Sequence, residues 1–409
     1  MPKWYYGWNI IGVALIFQGV TFGIGLFSTT FFIPHWMAEF DAGRGDLLVA
    51  VMVATLAIGV GSPFAGRAMD RVQIRLIVAT GGAMFALGLF LLSLVTAVWQ
   101  IIAIYAVFIG AGLALAGNVA GQTLAAKWFR GRRGFAVGIV TIGTSLGGFI
   151  MPPLSTWLIT TYDWRQACVI LACIAAIAVV PTTLLIVRNS PEDKGVEPDP
   201  ESERSLASAA KFASKNWTTK TILQDRAFWI TVVAFFPASV VFSAIQQNLG
   251  PISVDLDITL TEGAGLMSIL ALMSILGKIG FGTAADRFDN RYLFWIEGGL
   301  IMLATAMLMM DPGYLQLGFI CGTLGLAGGG TLPLLGSIVG KRFGAANFGQ
   351  AMGLLMPFLS ISSFGYVVAG WLRDSTGSYD LALWMFLAIM VPAIFGMIFM
   401  PKLHQSHSE

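Results

Sequence analysis

Twelve stretches of about 20 mostly apolar residues follow one another along this chain, each long enough to cross the roughly 30 Å hydrocarbon layer of a bilayer as a helix. The first six lie near 8–31, 45–65, 76–97, 100–126, 134–158 and 167–188, and the second six near 227–249, 263–283, 292–310, 314–339, 348–371 and 380–400. Backbone polar groups in lipid find no water, so a spanning segment must close its own hydrogen bonds. The expected fold is therefore all-α and integral to the membrane, with twelve transmembrane helices. Composition agrees: 11% of residues are charged, against about 25% in soluble domains, and 56% are hydrophobic. A water-soluble chain of 409 residues could not hide that much apolar surface.

The chain is also written twice. Gly66-Arg67-Ala68-Met69-Asp70-Arg71, followed by Arg75, returns as Gly282-Thr283-Ala284-Ala285-Asp286-Arg287, followed by Arg291; four matching positions recur at one offset of 216 residues. Each copy stands where one apolar run ends and the next begins. Lys127-Trp128-Phe129, with Gly134 and Gly138 behind it, answers to Lys341-Arg342-Phe343 with Gly349 and Gly353. Trp157 answers to Trp371, and Tyr162-Asp163 to Tyr379-Asp380, with offsets between 214 and 217. Two copies of a six-span unit imply pseudo-symmetric halves: residues 1–188, a polar linker at 189–226 holding Pro191, Pro198 and Pro200, and residues 227–409 with a short tail. Parallel repeats of this kind make a transporter with its site near the midplane, between the halves.

Alternate loops fall on opposite sides of the membrane, and 20 of the 24 lysines and arginines fall on the side of the N-terminus. Only Arg44, Arg165 and Arg373 lie on the other side, and one lysine lies within a span. The positive-inside rule then puts both termini and the linker in the cytoplasm, for a multi-pass protein of the plasma (bacterial inner) membrane. The sequon at Asn216 falls on the wrong face for glycosylation. The net charge of +2 says little about partners. Cys168, Cys173 and Cys321 all lie in apolar runs, without metal-like spacing or a disulfide framework, and read as small packing residues. The N-terminal run is far longer than a signal-peptide core, so no cleaved leader is expected.

Lys278 is out of place. It precedes Asp286 by eight residues, so it lies roughly 12 Å into the membrane at 1.5 Å per residue. An ionisable residue at that depth is costly unless it meets water or a partner, and is a functional-site hypothesis by default. A central cation without a nearby carboxylate suits an anion; the bland alternative is a lysine packed against backbone carbonyls. Ser274 lies one turn earlier on the same face. Glu297 lies six residues beyond Arg291, about 9 Å along a helix, and reads as a structural ion pair in preference to a proton carrier. Asn118 and Gln122, four apart, share a face of the fourth span; with Gln18 and Tyr366 they are candidate cavity-lining groups, the alternatives being interhelical glue and aromatic packing. Gln246, Gln247 and Asn248 cluster near the outer end of the seventh span, and His35 beside Trp36 reads as interfacial. Glycines at 143–148 and 325–330 lie inside apolar spans with no preceding strand, which argues against a phosphate loop. Small residues such as the pairs Gly117/Gly121 and Gly143/Gly147 allow close helix contact, and Pro152, Pro153, Pro237, Pro333 and Pro357 allow bends.

The residues Gly66, Asp70, Arg71 and Arg75 match the signature loop of the major facilitator superfamily, Gly-x-x-x-Asp-Arg/Lys-x-Gly-x-Arg, with Gln73 and, in the second copy, Asp289 in place of its inner glycine. Within that superfamily the chain resembles the monocarboxylate transporters and the oxalate:formate antiporters. Tyr5-Tyr6-Gly7-Trp8, the 127–134 stretch and a cation in the eighth span four residues before Gly282 carry the likeness. The resemblance implies that Asp70, Arg71, Arg75, Asp286, Arg287 and Arg291 gate, holding the cytoplasmic face shut in the outward-open state. A carboxylate at a helix end and an arginine fork make a latch that holds and releases; the rival reading makes these arginines topology markers. It also implies that Lys278 stands where the family places a substrate-carboxylate arginine. Lysine is a departure, offering a point charge in place of a bidentate fork. Ser274 and Ser28 stand where animal members carry an aspartate and a lysine, so the family's proton-coupling aspartate is absent.

These readings converge on an alternating-access carrier for a small organic anion, most simply a monocarboxylate such as lactate or pyruvate, with a proton as an optional companion moved through Lys278 or Glu297. A dicarboxylate exchanger of the oxalate:formate type ranks second, because the eleventh span lacks the second cation which that group carries. An anion sensor that does not transport is a third reading. No enzymatic chemistry, cofactor, metal or nucleic acid is implied; the expected partners are substrate and lipid, and the expected working form is a monomer.

Overall fold

In the computed structural model the described residues are 5–129, 133–195, 217–285, 287–344 and 347–401, with backbone alone at Asp70, Arg133 and Gly134. Twelve helices are long and apolar enough to cross a membrane. They are α1 (Gly7–Phe40), α2 (Arg44–Met69), α3 (Ile74–Leu92), α4 (Val98–Trp128), α5 (Phe135–Thr161) and α6 (Trp164–Ile186), then α7 (Arg226–Asp255), α8 (Leu260–Ala285), α9 (Asn290–Leu308), α10 (Tyr314–Phe343), α11 (Phe348–Thr376) and α12 (Asp380–Phe399). Large apolar side chains such as Ile177, Leu185, Trp99 and Leu315 face outward, as lipid contact requires. Between α6 and α7 the described linker forms a short turn at Pro191–Lys194 and a short helix at Thr219–Leu223.

Several helix starts follow directly from the sequence. Asp163, Asp225 and Asp289 each accept a backbone N–H of the first turn of α6, α7 and α9, at 2.8, 2.8 and 2.9 Å. Arg291 also grips Asp289 (Nη2–Oδ2 2.6 Å), and this bond, outside the membrane spans, holds the Asp289 carboxyl below the usual carboxylate range. Other helices are irregular inside. Residues Gly23–Ser28 of α1 and Tyr105–Ile109 of α4 are π-helical, and α4 breaks again at Ala116 and Gly117. Freed carbonyls are bonded locally: Ser28 Oγ donates to Gly23 O (2.9 Å) and Thr29 Oγ1 to Gly25 O (2.9 Å).

Within the first six helices α1 packs on α5, α2 on α4 and α3 on α6; within the second six α8 packs on α10, α9 on α10 and α7 on α12. Close approach depends on missing side chains. A Cβ on Gly147 would stand 2.0 Å from Gly19 O across the α1–α5 contact, and one on Gly329 2.3 Å from Ser274 O across α8–α10.

The two sets of six meet through α5–α8, α2–α11 and α1–α7. We call the side where α6 ends and α7 begins the linker face, and the other the distal face. Hydrogen bonds between described residues of the two halves all lie at Lys278 or distal to it. They join Lys278 to α5, Ser268 Oγ to Phe149 O (2.7 Å), Thr55 to Tyr366 (3.1 Å), Gly250 N to Thr30 (2.9 Å), and the ends of α2 to α7, α11 and Tyr379. The halves are thus sealed toward the distal face.

Candidate functional site

Lys278 sits on α8 at the seam with α5. Its Nζ donates to Thr141 O (2.7 Å), Thr144 Oγ1 (3.0 Å) and Ser145 Oγ (2.8 Å). All three acceptors belong to one helix of the other half, and none is a carboxylate. The ammonium has three N–H donors and all are used, so its hydrogen bonds are complete while no carboxylate among the described residues pairs with it. Thr141 and Ser145 are one turn apart on α5, which is why both reach the same atom.

The other candidates divide. Gln18 is fully buried in α1, and both polar atoms of its amide lack a partner. Its Nε2 would be 2.0 Å from a Cβ on Gly121, and its Cβ 3.3 Å from one on Gly143, so it is wedged between α4 and α5 next to the segment that Lys278 touches. Asn118 opens the second part of α4 beyond the break at Gly117, and its Oδ1 is buried without a partner. Gln122, one turn on, is half-buried. Ser274 points elsewhere: its hydroxyl bonds Leu270 O (2.9 Å) and Gly325 O (3.1 Å), tying α8 to α10. Tyr366 shares a hydrogen bond with Thr55 (3.1 Å), joining α11 to α2 on the distal side of Lys278. Structure thus brings Gln18 to the helix segment that holds Lys278, and places Ser274 and Tyr366 in helix-joining contacts.

Glu297 is fully buried. Its Oε1 accepts from Thr331 Oγ1 on α10 at 2.6 Å, and Oε2 has no partner. The expected pair with Arg291 is not formed, since Arg291 is taken by Asp289. Six residues turn a helix through about 240° net, so the two side chains leave α9 in different directions.

Of the gating candidates, Asp286 and the side chain of Asp70 lie outside what is described. Arg71 and Arg287 are exposed at the linker face, and Arg75 Nε donates to Gln73 Oε1 (2.8 Å), the residue in place of the motif's inner glycine. Sequence reasoning missed Thr141, Thr144 and Ser145, although three hydroxyls within five residues of an apolar span were there to be read. It also missed that Arg44, Arg373 and Tyr379 converge with Asp255 on the distal face.

Comparison with known proteins fits this geometry. The family profile described as Major Facilitator Superfamily matches residues 15–363. The chain is similar to Monocarboxylate transporter 12 of Rattus norvegicus, 27% identical over 93% of this chain and 82% of that one. It is similar also to Monocarboxylate transporter 13 of Rattus norvegicus (24%, covering 92% and 85%) and to Monocarboxylate transporter 9 of the same animal (23%, covering 93% and 90%).

Proposed function

The chain belongs to the major facilitator superfamily, and from that premise we propose that it carries a small organic anion across the membrane by alternating access, most simply a monocarboxylate such as lactate or pyruvate. One observation carries the reading. Lys278 lies deep in the seam between the halves, and among the described residues its ammonium is bonded only to neutral oxygens. A charge held this way in a low-dielectric layer is stabilised most by an arriving carboxylate. Bonds to a carboxylate are stronger than bonds to hydroxyl and carbonyl oxygens, so the substrate takes Lys278 from α5. The halves then lose one of their contacts and rock about the bound anion, while the latch residues on the linker face, Asp70 with Arg71 and Arg75 and Asp286 with Arg287 and Arg291, exchange partners.

The wider assignment follows the same line. The skew of basic residues supports a cytoplasmic linker face in a plasma or bacterial inner membrane. Proton symport through Lys278 or Glu297 stays within the proposal, as does a monomeric working unit divided at 1–188, 189–226 and 227–409. Exchange of dicarboxylates is the second reading; the lack of lysine and arginine at 348–371 places it behind.

The test is uptake of labelled lactate into proteoliposomes, with and without an inward proton gradient, for the native protein and Lys278→Ala. Losing a charge-assisted bond worth ~1.5–3 kcal/mol predicts uptake reduced roughly ten- to hundredfold. Equal uptake by both proteins would make the lysine structural and remove the substrate argument. Without lactate movement in either, oxalate and formate counterflow is the next assay.

A further inference from the structure

The distal face is closed by one carboxylate shared between two arginines on opposite halves. Arg44, the first residue of α2, reaches Asp255, the last of α7, with both arms of its guanidinium: Nη1–Oδ2 is 2.5 Å and Nη2–Oδ1 2.6 Å. Arg373 of α11, on the same half as Asp255, donates from Nε to Oδ2 at 3.0 Å. Tyr379 OH accepts from Arg44 (3.3 Å) and donates to Asn248 Oδ1 (3.1 Å), so the second half holds the network in place. The three charged side chains are only 11, 19 and 25% exposed for Arg44, Asp255 and Arg373. Around them Asp374 accepts the Gly45 N–H (3.0 Å) and Trp371 donates to Asp46 (3.0 Å), again across the halves.

We infer that Arg44 and Asp255 are the gating pair of the distal face, and that Arg373 is the residue that lets the gate open. Separation of α2 from α7 and α11 must break the two-armed bond. An Asp255 left alone in a half-buried site would make that step costly, because truncating or removing one partner of a desolvated pair leaves an uncompensated charge. Arg373 travels with Asp255 and keeps it paired in the open state, so only Arg44 is released, at the mouth, where water reaches it. The two arginines therefore act in opposite directions: Arg44 stabilises the closed face and Arg373 the open one. Simple packing of three charges would give both the same sign. The gate does not depend on which anion is carried, so it stands or falls separately from the lactate reading.

The experiment measures distances by pulsed electron resonance between spin labels at Tyr162→Cys and Met310→Cys, exposed positions at the distal ends of the two halves. The full chain is used in nanodiscs, with Cys168, Cys173 and Cys321 replaced by Ala. Arg44→Gln and Asp255→Asn should each enrich the long-distance, distal-open population roughly fivefold, the scale of a partly exposed bidentate pair. Their double variant should move no further than either single, since both remove one bond. Arg44→Lys, which keeps the charge but not the two-armed bond, should shift the population in the same direction as Arg44→Gln and by less. Arg373→Gln should deplete the open population, and should do nothing in the Asp255→Asn background. Unchanged distances in the single variants, additive shifts in the double, or opening by Arg373→Gln would overturn the assignment.

Discussion

Glu297 separates what a residue's identity announces from what only its neighbours decide. The sequence marks a carboxyl inside an apolar span, but not which way it points, and the partner turns out to be Thr331 on α10. A neutral amide keeps that bond, its carbonyl still accepting from Thr331, but puts an NH2 where Oε2 has no partner, so Glu297→Gln should cost about 1 kcal/mol of thermal stability in detergent. Glu297→Ala leaves the hydroxyl unsatisfied and a hole behind, which should cost about 2–4 kcal/mol. In the same proteoliposomes the two variants also decide the proton question, since a coupling carboxyl would lose gradient-stimulated uptake in Glu297→Gln while folding normally. Lys278 was readable from sequence as an intruder in a hydrophobic run, because cost alone flags it. Its acceptors were not, because Thr141, Thr144 and Ser145 are ordinary residues in a span until another helix is laid across them.

Helices were easier. Each of the twelve apolar runs became one membrane-crossing helical segment, some interrupted inside, since the bilayer leaves an apolar backbone segment almost no other choice. The ends moved where polarity misleads: the run read as 8–31 belongs to a helix that continues to Phe40, carrying His35, Trp36 and Glu39 past the apolar stretch. The π-helical turns at Gly23–Ser28 and Tyr105–Ile109 left no pattern that hydropathy could detect. Glycine gave the helix contacts only in part. Gly143 and Gly147 were readable as a small-residue pair, but not that Gly147 lies on the backbone of Gly19. The contrast makes a prediction. Gly147→Ala puts its methyl 2.0 Å from Gly19 O, so α1 and α5 must part, at a cost of about 1–3 kcal/mol or more. Gly299→Ala on α9 meets nothing within 4 Å and should be neutral or gain up to ~1 kcal/mol in helix propensity. Melting temperatures of the two variants in one detergent read the difference directly.

Two halves and a duplicated motif could be read from the chain, but not the state in which the halves stand, because an alternating carrier uses one sequence for both of its faces. The distribution of contacts decides it. From Lys278 outward the halves are joined by hydrogen bonds and by the Arg44–Asp255 bridge, whereas Arg71 and Arg287 of the duplicated loop stand exposed. In the proposed gate a latch on the linker face is undone while the distal face is shut, and the exposure of Arg71 and Arg287 beside the engaged Arg44 is consistent with that order. The consequence can be measured at Gly138. It lies one turn before Thr141 and two before Ser145, on the face of α5 that meets Lys278, and it is exposed, with nothing within 4 Å of a methyl group added to its Cα; the register directs it toward the seam on the linker side. In a chain lacking its own cysteines, Gly138→Cys should react with a membrane-impermeant maleimide in inverted vesicles and be protected in right-side-out ones. The reverse pattern would invert the topology drawn from the basic residues. Arg373→Gln, by holding the distal face closed, should raise the inverted-vesicle rate, and Arg44→Gln should lower it, because a molecule that opens on one side must close on the other.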